Sequence, residues 1–232
     1  MQIKSFVVAL VAGSLAFASC NTFKSSNTEL KTLADSVAYA IGSDMANTVV
    51  KQLPNAPGGK EINQKLVLAA FTEVVSGKAS KIPAEKIPTI TQSYFMKMHV
   101  MEGAKNLEEG KKYLAENGKK SGVKTTASGL QYEVIKEGKG PKPAATDTVK
   151  VNYKGTTTEG KVFDTNEGKA PVQFPVNRVI PGWTEALQLM SVGSKYKLYV
   201  PASLGYGEQS PSADIKPNSV LIFEVELLEI KK

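Results

Sequence analysis

Cysteine and histidine are almost missing from this sequence: Cys20 and His99 are the only ones of their kinds. A lone cysteine allows no disulfide within the chain. Without a Cys/His cluster there is no zinc-ligand set, and no metal is expected. A Ser-His-Asp arrangement would have to use His99, which sits in a charged, methionine-rich helical stretch far from any nucleophile motif. Arginine is equally scarce. Arg178 stands alone among lysines that bring the formal net charge to +7. Guanidinium forks are the usual means of reading bases and clamping phosphates. The lysines are dispersed and form no basic stripe, so no nucleic-acid partner is expected. Long apolar runs are lacking too; the longest, near the start, is too short for a convincing membrane span. The remaining composition, 41% hydrophobic and 22% charged over 232 residues, excludes global disorder. At roughly 100–200 residues per domain it leaves one large domain or two small ones.

The first residues form an address. Lys4 precedes the apolar run Phe6 to Ala18, a positive region followed by a short hydrophobic one. The run ends in Phe17-Ala18-Ser19-Cys20, which resembles the lipobox of bacterial lipoproteins, with Phe17 where leucine is commoner. That resemblance implies a signal peptide over residues 1–19, cleavage before Cys20, and lipid attachment to Cys20. Several acyl chains anchor stably, at about 0.8 kcal/mol per buried CH₂. The alternative is an ordinary signal peptide with a chance cysteine. Residues 20–28 are small and polar and read as a flexible tether. Asn21 resembles an outer-membrane rather than an inner-membrane sorting signal, which implies an outer-membrane lipoprotein of the cell envelope; a periplasm-facing place is expected, with surface exposure the open alternative.

Residues 29–118 read as helical. Leu30, Leu33, Val37, Ile41, Met45, Val49 and Leu53 recur in steps of three and four, one face of a helix that Asn27 or Thr28 could cap. Pro54 to Gly59 breaks it. A second helix is expected from Lys60 to Ser76, with Ile62, Leu66, Ala70, Phe71, Val74 and Val75 inward. A third begins near Pro88, since proline suits a first helical turn. Beyond Gly103 its apolar stripe thins among lysines and glutamates. A helix polar nearly all round is usually solvent-bridging, so Gly103 to Asn117 reads as an exposed stalk. Short helices make a poor independent core, and Met45, Met96, Met98 and Met101 suit an adaptable interface. A homodimer joined through this region is expected; monomeric core filling is the alternative. Residues 119–127 read as a linker.

From 128 to 232 the period changes. Leu130, Tyr132 and Val134 alternate with polar residues, as do Thr148 to Tyr153, Lys195 to Val200 and Leu221 to Leu227. A short helix fits Gly182 to Met190. The fold class is therefore α+β, an antiparallel half-barrel sheet wrapped on a short helix, behind an all-α domain with a long connecting helix.

Several blocks stand in order here: Val151-Asn152-Tyr153-Lys154-Gly155, Gly160-Lys161-Val162-Phe163-Asp164, Val179-Ile180-Pro181-Gly182-Trp183, Met190-Ser191-Val192-Gly193, Leu204-Gly205-Tyr206-Gly207 and Leu221 to Leu227. Together they resemble the FKBP family of prolyl isomerases over roughly Ser128 to Ile230. The helical half, including Asn106 to Leu114, looks like the N-terminal domain of the macrophage-infectivity-potentiator type, whose members are homodimers. The resemblance implies a pocket floored by Trp183 and walled by Tyr153, Phe163, Val179, Ile180, Ile215 and Phe223. Its polar contacts would come from Asp164, the Tyr206 hydroxyl and the Ile180 N–H. The family often has aromatics at the positions of Val172 and Phe174, and only Phe174 is aromatic here. Asp164, Tyr206, Trp183 and Phe163 are the expected catalytic residues. The bland alternative is that the aromatics are only core, although a core has no need of Asp164 or Tyr206. The implied partners are proline-containing unfolded chains. No cofactor is expected. A dimeric chaperone or surface binding protein that lacks isomerase activity is the competing function.

Overall fold

The computed structural model describes residues 29–231. The leader, Cys20 and the tether lie outside the described residues. Helix α1 (Leu33–Asn47) opens on a reciprocal cap: Thr32 Oγ1 accepts from the Asp35 N–H at 3.1 Å, and the Asp35 carboxylate accepts from the Thr32 N–H at 2.8 Å. The helix expected to reach Leu53 stops being α-helical at Asn47. Thr48–Gln52 widens into a π turn and Leu53–Asn55 tightens into a 3₁₀ turn around Pro54.

Helix α2 (Gln64–Val75) starts where the Asn63 side chain accepts from the Lys65 N–H at 3.0 Å. Residues Leu66, Phe71, Val74 and Val75 were expected to point inward. All four are exposed in the single chain. Helix α3 (Ile87–Asn117) runs unbroken for 31 residues with Pro88 in its first turn.

Seven strands follow: β1 (Val123–Thr125), β2 (Gln131–Lys136), β3 (Thr148–Thr156), β4 (Val162–Thr165), β5 (Val172–Pro175), β6 (Lys195–Val200) and β7 (Leu221–Lys231), with helix α4 (Pro181–Leu189) between β5 and β6. Strand β1 lies in the segment read as a linker. The sheet order is β1-β2-β6-β7-β3-β4, with β5 also on β3, and every pairing is antiparallel. Period-two alternation sends Leu198 and Val200 of β6 and Leu221, Phe223, Val225 and Leu227 of β7 to one face. There they join Trp183, Ala186 and Leu187 of α4 in the buried core.

The opposite face is partly covered as well, which corrects the reading of an exposed stalk. In register across β2, β6 and β7 lie Gln131, Tyr199 and Ile222, all nearly fully buried although they point away from α4. Helix α3 lies over the start of this row. Its buried residues are Gly103, Gly110 and Asn117, spaced by sevens on one face. Asn117 Nδ2 donates to Gln131 Oε1 at 3.0 Å, and Gln131 Nε2 donates to the Leu114 carbonyl at 2.8 Å. The Tyr113 and Tyr199 rings meet at 6.3 Å. At Gly110 the backbone comes so close that a Cβ would sit 2.8 Å from Val220 Cγ2. The buried residues that α3 brings to the contact are two glycines and an amide, so hydrophobic periodicity does not register it.

Candidate active site

The site grows from the start of α4. Pro181 needs no hydrogen-bond partner in a first helical turn, and the Trp183 N–H closes that turn on the Ile180 carbonyl at 2.9 Å. Thr184 Oγ1 donates to the Val176 carbonyl at 2.7 Å and ties the turn to the preceding segment. Trp183 is thereby aimed into the sheet and is nearly fully buried. Three rings stand almost perpendicular to it: Tyr153 at 5.4 Å and 85°, Phe174 at 5.8 Å and 84°, and Phe223 at 5.3 Å and 85°. Edge-to-face contacts of this kind each add about 0.5–1.5 kcal/mol beyond burial, so the floor is rigid before any ligand arrives. The Trp183 Nε1–H finds no hydrogen-bond partner among the described residues.

A cleft of about 410 Å³ opens above the indole. It is lined by Tyr153, Asp164, Phe174, Arg178, Val179, Ile180, Trp183, Tyr206 and Phe223. Strand β3 supplies Tyr153, β4 supplies Asp164, and the loop after β6 supplies Tyr206. Three expected residues lie elsewhere. Phe163 is outside the lining but touches it, edge to face with Phe223 at 5.5 Å, and both rings crowd Gly155, where a Cβ would meet Phe163 Cε2 at 2.6 Å. Ile215 is buried and faces a neighbouring crevice of about 610 Å³. Val172, on β5, pairs with Val151 of β3 and is outside the lining. Arg178 is the residue that motif reasoning missed as part of the site. The only signal for it was its solitude among lysines.

One carboxylate, the Arg178 guanidinium and two phenols set the electrostatics. The Tyr153 hydroxyl donates to Asp164 Oδ2 at 2.7 Å. Burial, and then the bond to Asp164, push the Tyr153 phenol up to about 12. Burial also raises the Tyr206 phenol, with the Asp164 charge adding to it. Both hydroxyls are therefore neutral donors at physiological pH. The cleft thus offers an apolar floor with hydrogen-bond donors at its rim, and no nucleophile paired with a base.

Comparison with known proteins agrees with this geometry. Residues 140–228 match the family described as FKBP-type peptidyl-prolyl cis-trans isomerase, and residues 34–134 match the domain amino terminal to it. An FKBP-type peptidyl-prolyl cis-trans isomerase FkpA from Aeromonas hydrophila is 43% identical over 213 residues, covering 88% of this chain and 79% of that protein. The outer membrane protein MIP of Legionella longbeachae is 38% identical over 214 residues, covering 88% and 89%. The crystal structure of FkpA from Escherichia coli superposes with a TM-score of 0.64 at 35% identity, over 88% of this chain and 99% of that one.

Proposed function

The chain belongs to the FKBP-type peptidyl-prolyl cis-trans isomerases, and from that premise we propose that the cleft over Trp183 is where X-Pro bonds turn. An X-Pro amide rotates over a barrier of about 18–20 kcal/mol, in tens to hundreds of seconds. Resonance in the planar amide places partial charge on oxygen and nitrogen. Twisting the bond removes that resonance and leaves a less charge-separated group. Water solvates the planar form better and so opposes the twist. An apolar floor reverses that preference and stabilises the twisted state over the planar one. An acceleration on the order of 10⁴–10⁵ needs only about 5.5–7 kcal/mol of such discrimination.

In this reading the proline ring rests on Trp183 between Tyr153, Phe174 and Phe223. The Tyr206 hydroxyl and the Ile180 N–H hold flanking carbonyls, and Asp164, fixed by Tyr153, fronts the twisting amide. Phe163 supports the floor through Phe223, and Ile215 closes one side through its loop. The observation that carries the reading is the three rings standing on one indole beneath a rim of Asp164 and Tyr206. No nucleophile, metal or cofactor takes part in this chemistry. The test is a direct assay of cis-to-trans conversion in proline peptides. Asp164→Ala should lower kcat/KM by about tenfold or more, roughly 1.4 kcal/mol per decade, with the fold intact by circular dichroism. Wild-type turnover by a folded Asp164→Ala variant defeats the assignment.

The reading extends to the whole chain. The substrates are unfolded or partly folded exported polypeptides containing proline, and holding such chains adds a chaperone role. Helices α1 and α2 expose many large apolar side chains, among them Leu33, Leu66, Leu68 and Val75. Monomers rarely expose contiguous apolar patches larger than a few hundred Å², and a second copy of the chain is the proposed cover. The lipobox-like leader, together with a relative named for the outer membrane, supports a place in the cell envelope, anchored through Cys20.

A further inference from the structure

The segment from Tyr206 to Asn218 carries Tyr206 at the rim of the cleft and Ile215 beside it. A long segment bearing a residue of the cleft lining, Tyr206, loses affinity if it wanders, because ordering it then counts against binding. It is tied at its base, where the Asn218 N–H donates to the Gly207 carbonyl at 2.6 Å. Asn218 does this at a φ of 56°, and no other non-glycine residue among the described residues has a positive φ. Asparagine enters that left-handed region more readily than most residues, and here its side chain is tied down as well.

The ties come from helix α3. The Asn218 side chain donates through Nδ2 to the Gly103 carbonyl at 3.2 Å. One turn on, Asn106 Nδ2 donates to the Pro217 carbonyl at 2.8 Å. Glu102 pairs with Lys216. One turn earlier, His99 Nε2 stands 3.0 Å from the Glu208 carbonyl oxygen; that oxygen can only accept, so this nitrogen carries the proton. His99, Glu102, Gly103 and Asn106 share one helix face by their spacing of three and four. The approach at Gly103 is close: a Cβ would stand 3.2 Å from Asn218 Nδ2, which would have to yield by a few tenths of an ångström, and in ordinary contact with Pro217 Cβ at 3.4 Å.

We infer that helix α3 positions the catalytic cleft: through Asn106, Glu102, His99 and the Gly103 carbonyl it holds the 206–218 segment so that Tyr206 is in place before substrate binds. These are positioning residues, and none of them lines the cleft. The inference rests on the cleft over Trp183 being the site of isomerisation, and it deepens that reading by extending the site onto the helical half.

The test compares the full chain with the variant Asn106→Ala/Asn218→Gly. Glycine accepts the positive φ freely, so the second change removes only the side-chain bond. Progress curves with a cis-enriched X-Pro tetrapeptide separate kcat from KM. Loss of preorganisation should raise KM by roughly three- to tenfold with kcat changed less, the signature of lost binding. Simple destabilisation would lower apparent kcat in proportion to the folded fraction and leave KM alone. A KM within twofold of wild type, in a variant whose Trp183 emission is native, overturns the inference. Should that variant fail to fold, the exposed ion pair decides. Glu102→Lys and Lys216→Glu should each raise KM, and the two together should restore it; no movement in either single variant is equally fatal. The Asp164→Ala assay tests the underlying site separately, so the two failures are distinguishable.

Discussion

Replacing Gly110 with alanine sets two known effects against each other, and the structure says which wins. Glycine inside a helix costs about 1 kcal/mol relative to alanine, so Gly110→Ala on a free helix should stabilise the protein. On the docked helix the new Cβ would lie 2.8 Å from Val220 Cγ2. Val220 is only 5% exposed and has little room to turn. Overpacking of this kind costs about 1–3 kcal/mol, so the net change should run from neutral to about 2 kcal/mol destabilising. Val220→Ala removes the offending methyl and leaves Val220 Cβ at 4.0 Å, an ordinary contact. In that background Gly110→Ala should stabilise by about 1 kcal/mol, the unopposed helix preference. Urea unfolding followed by emission from Trp183, the only tryptophan, measures all four corners of the cycle, with equal m-values as the check on comparable unfolded states. A stabilising Gly110→Ala in the native background would mean that α3 does not rest on Val220, and the docked helix would be wrong.

Three further outcomes can be checked. The Tyr153 phenol is raised from its ordinary value of 10.0 to about 12. Its contribution to stability is therefore fully present below pH 10 and lost as the pH climbs through about 12; Tyr153→Phe should lose less stability than wild type over that window in alkaline unfolding titrations. Cys20→Ser should shift the protein from the membrane to the soluble fraction, and intact mass of the wild type should show lipid; retention of the variant in the membrane would rule out the anchor. Light scattering at micromolar concentration should show a dimer that Leu66→Glu with Val75→Glu converts to monomer, with turnover of short proline peptides unchanged; a monomeric wild type would end the proposal of a second copy.

The strands and helices with strong periodicity were legible in the sequence. The alternation Leu221, Phe223, Val225, Leu227 marks β7 because one face of it meets α4 and the other does not. The turn at Pro181 announces α4 through proline chemistry. What was not legible falls into two kinds. Strands β4 and β5 have only four residues each, too few for a period to show, and they are strands because β3 offers them an edge. The faces of α2 were legible as apolar but not as exposed, since period reports which side is oily and not what covers it. Among the site residues, the motif positions Tyr153, Asp164, Trp183 and Tyr206 come together in the cleft. Arg178 joins them only because the turn after β5 brings it round, and no local pattern announces that.

The misread stalk shows most clearly why sequence patterns run out. Between Gly103 and Asn117 the chain is rich in lysine and glutamate, and a polar helix ordinarily stands in solvent. Here the polar side chains occupy the outward face, as in the Lys111–Glu108 pair, while the inward face is written in residues that hydropathy scores as neutral or polar. Glycine at 103 and 110 contributes no oily surface. It contributes the absence of a side chain, which lets the helix backbone approach Pro217 and Val220. Asn117 is 1% exposed, yet its amide is satisfied by Gln131, so its burial does not carry the usual cost of an unpaired polar group. The sheet face beneath shows the same logic: Tyr199 is buried with its hydroxyl donating to Glu133 at 2.8 Å. An interface of small residues and paired amides leaves almost no hydrophobic signature, but it fixes distance and direction more tightly than an oily one, because each hydrogen bond has a preferred geometry. That is the kind of joint required of a helix that has to hold a substrate-facing loop in register.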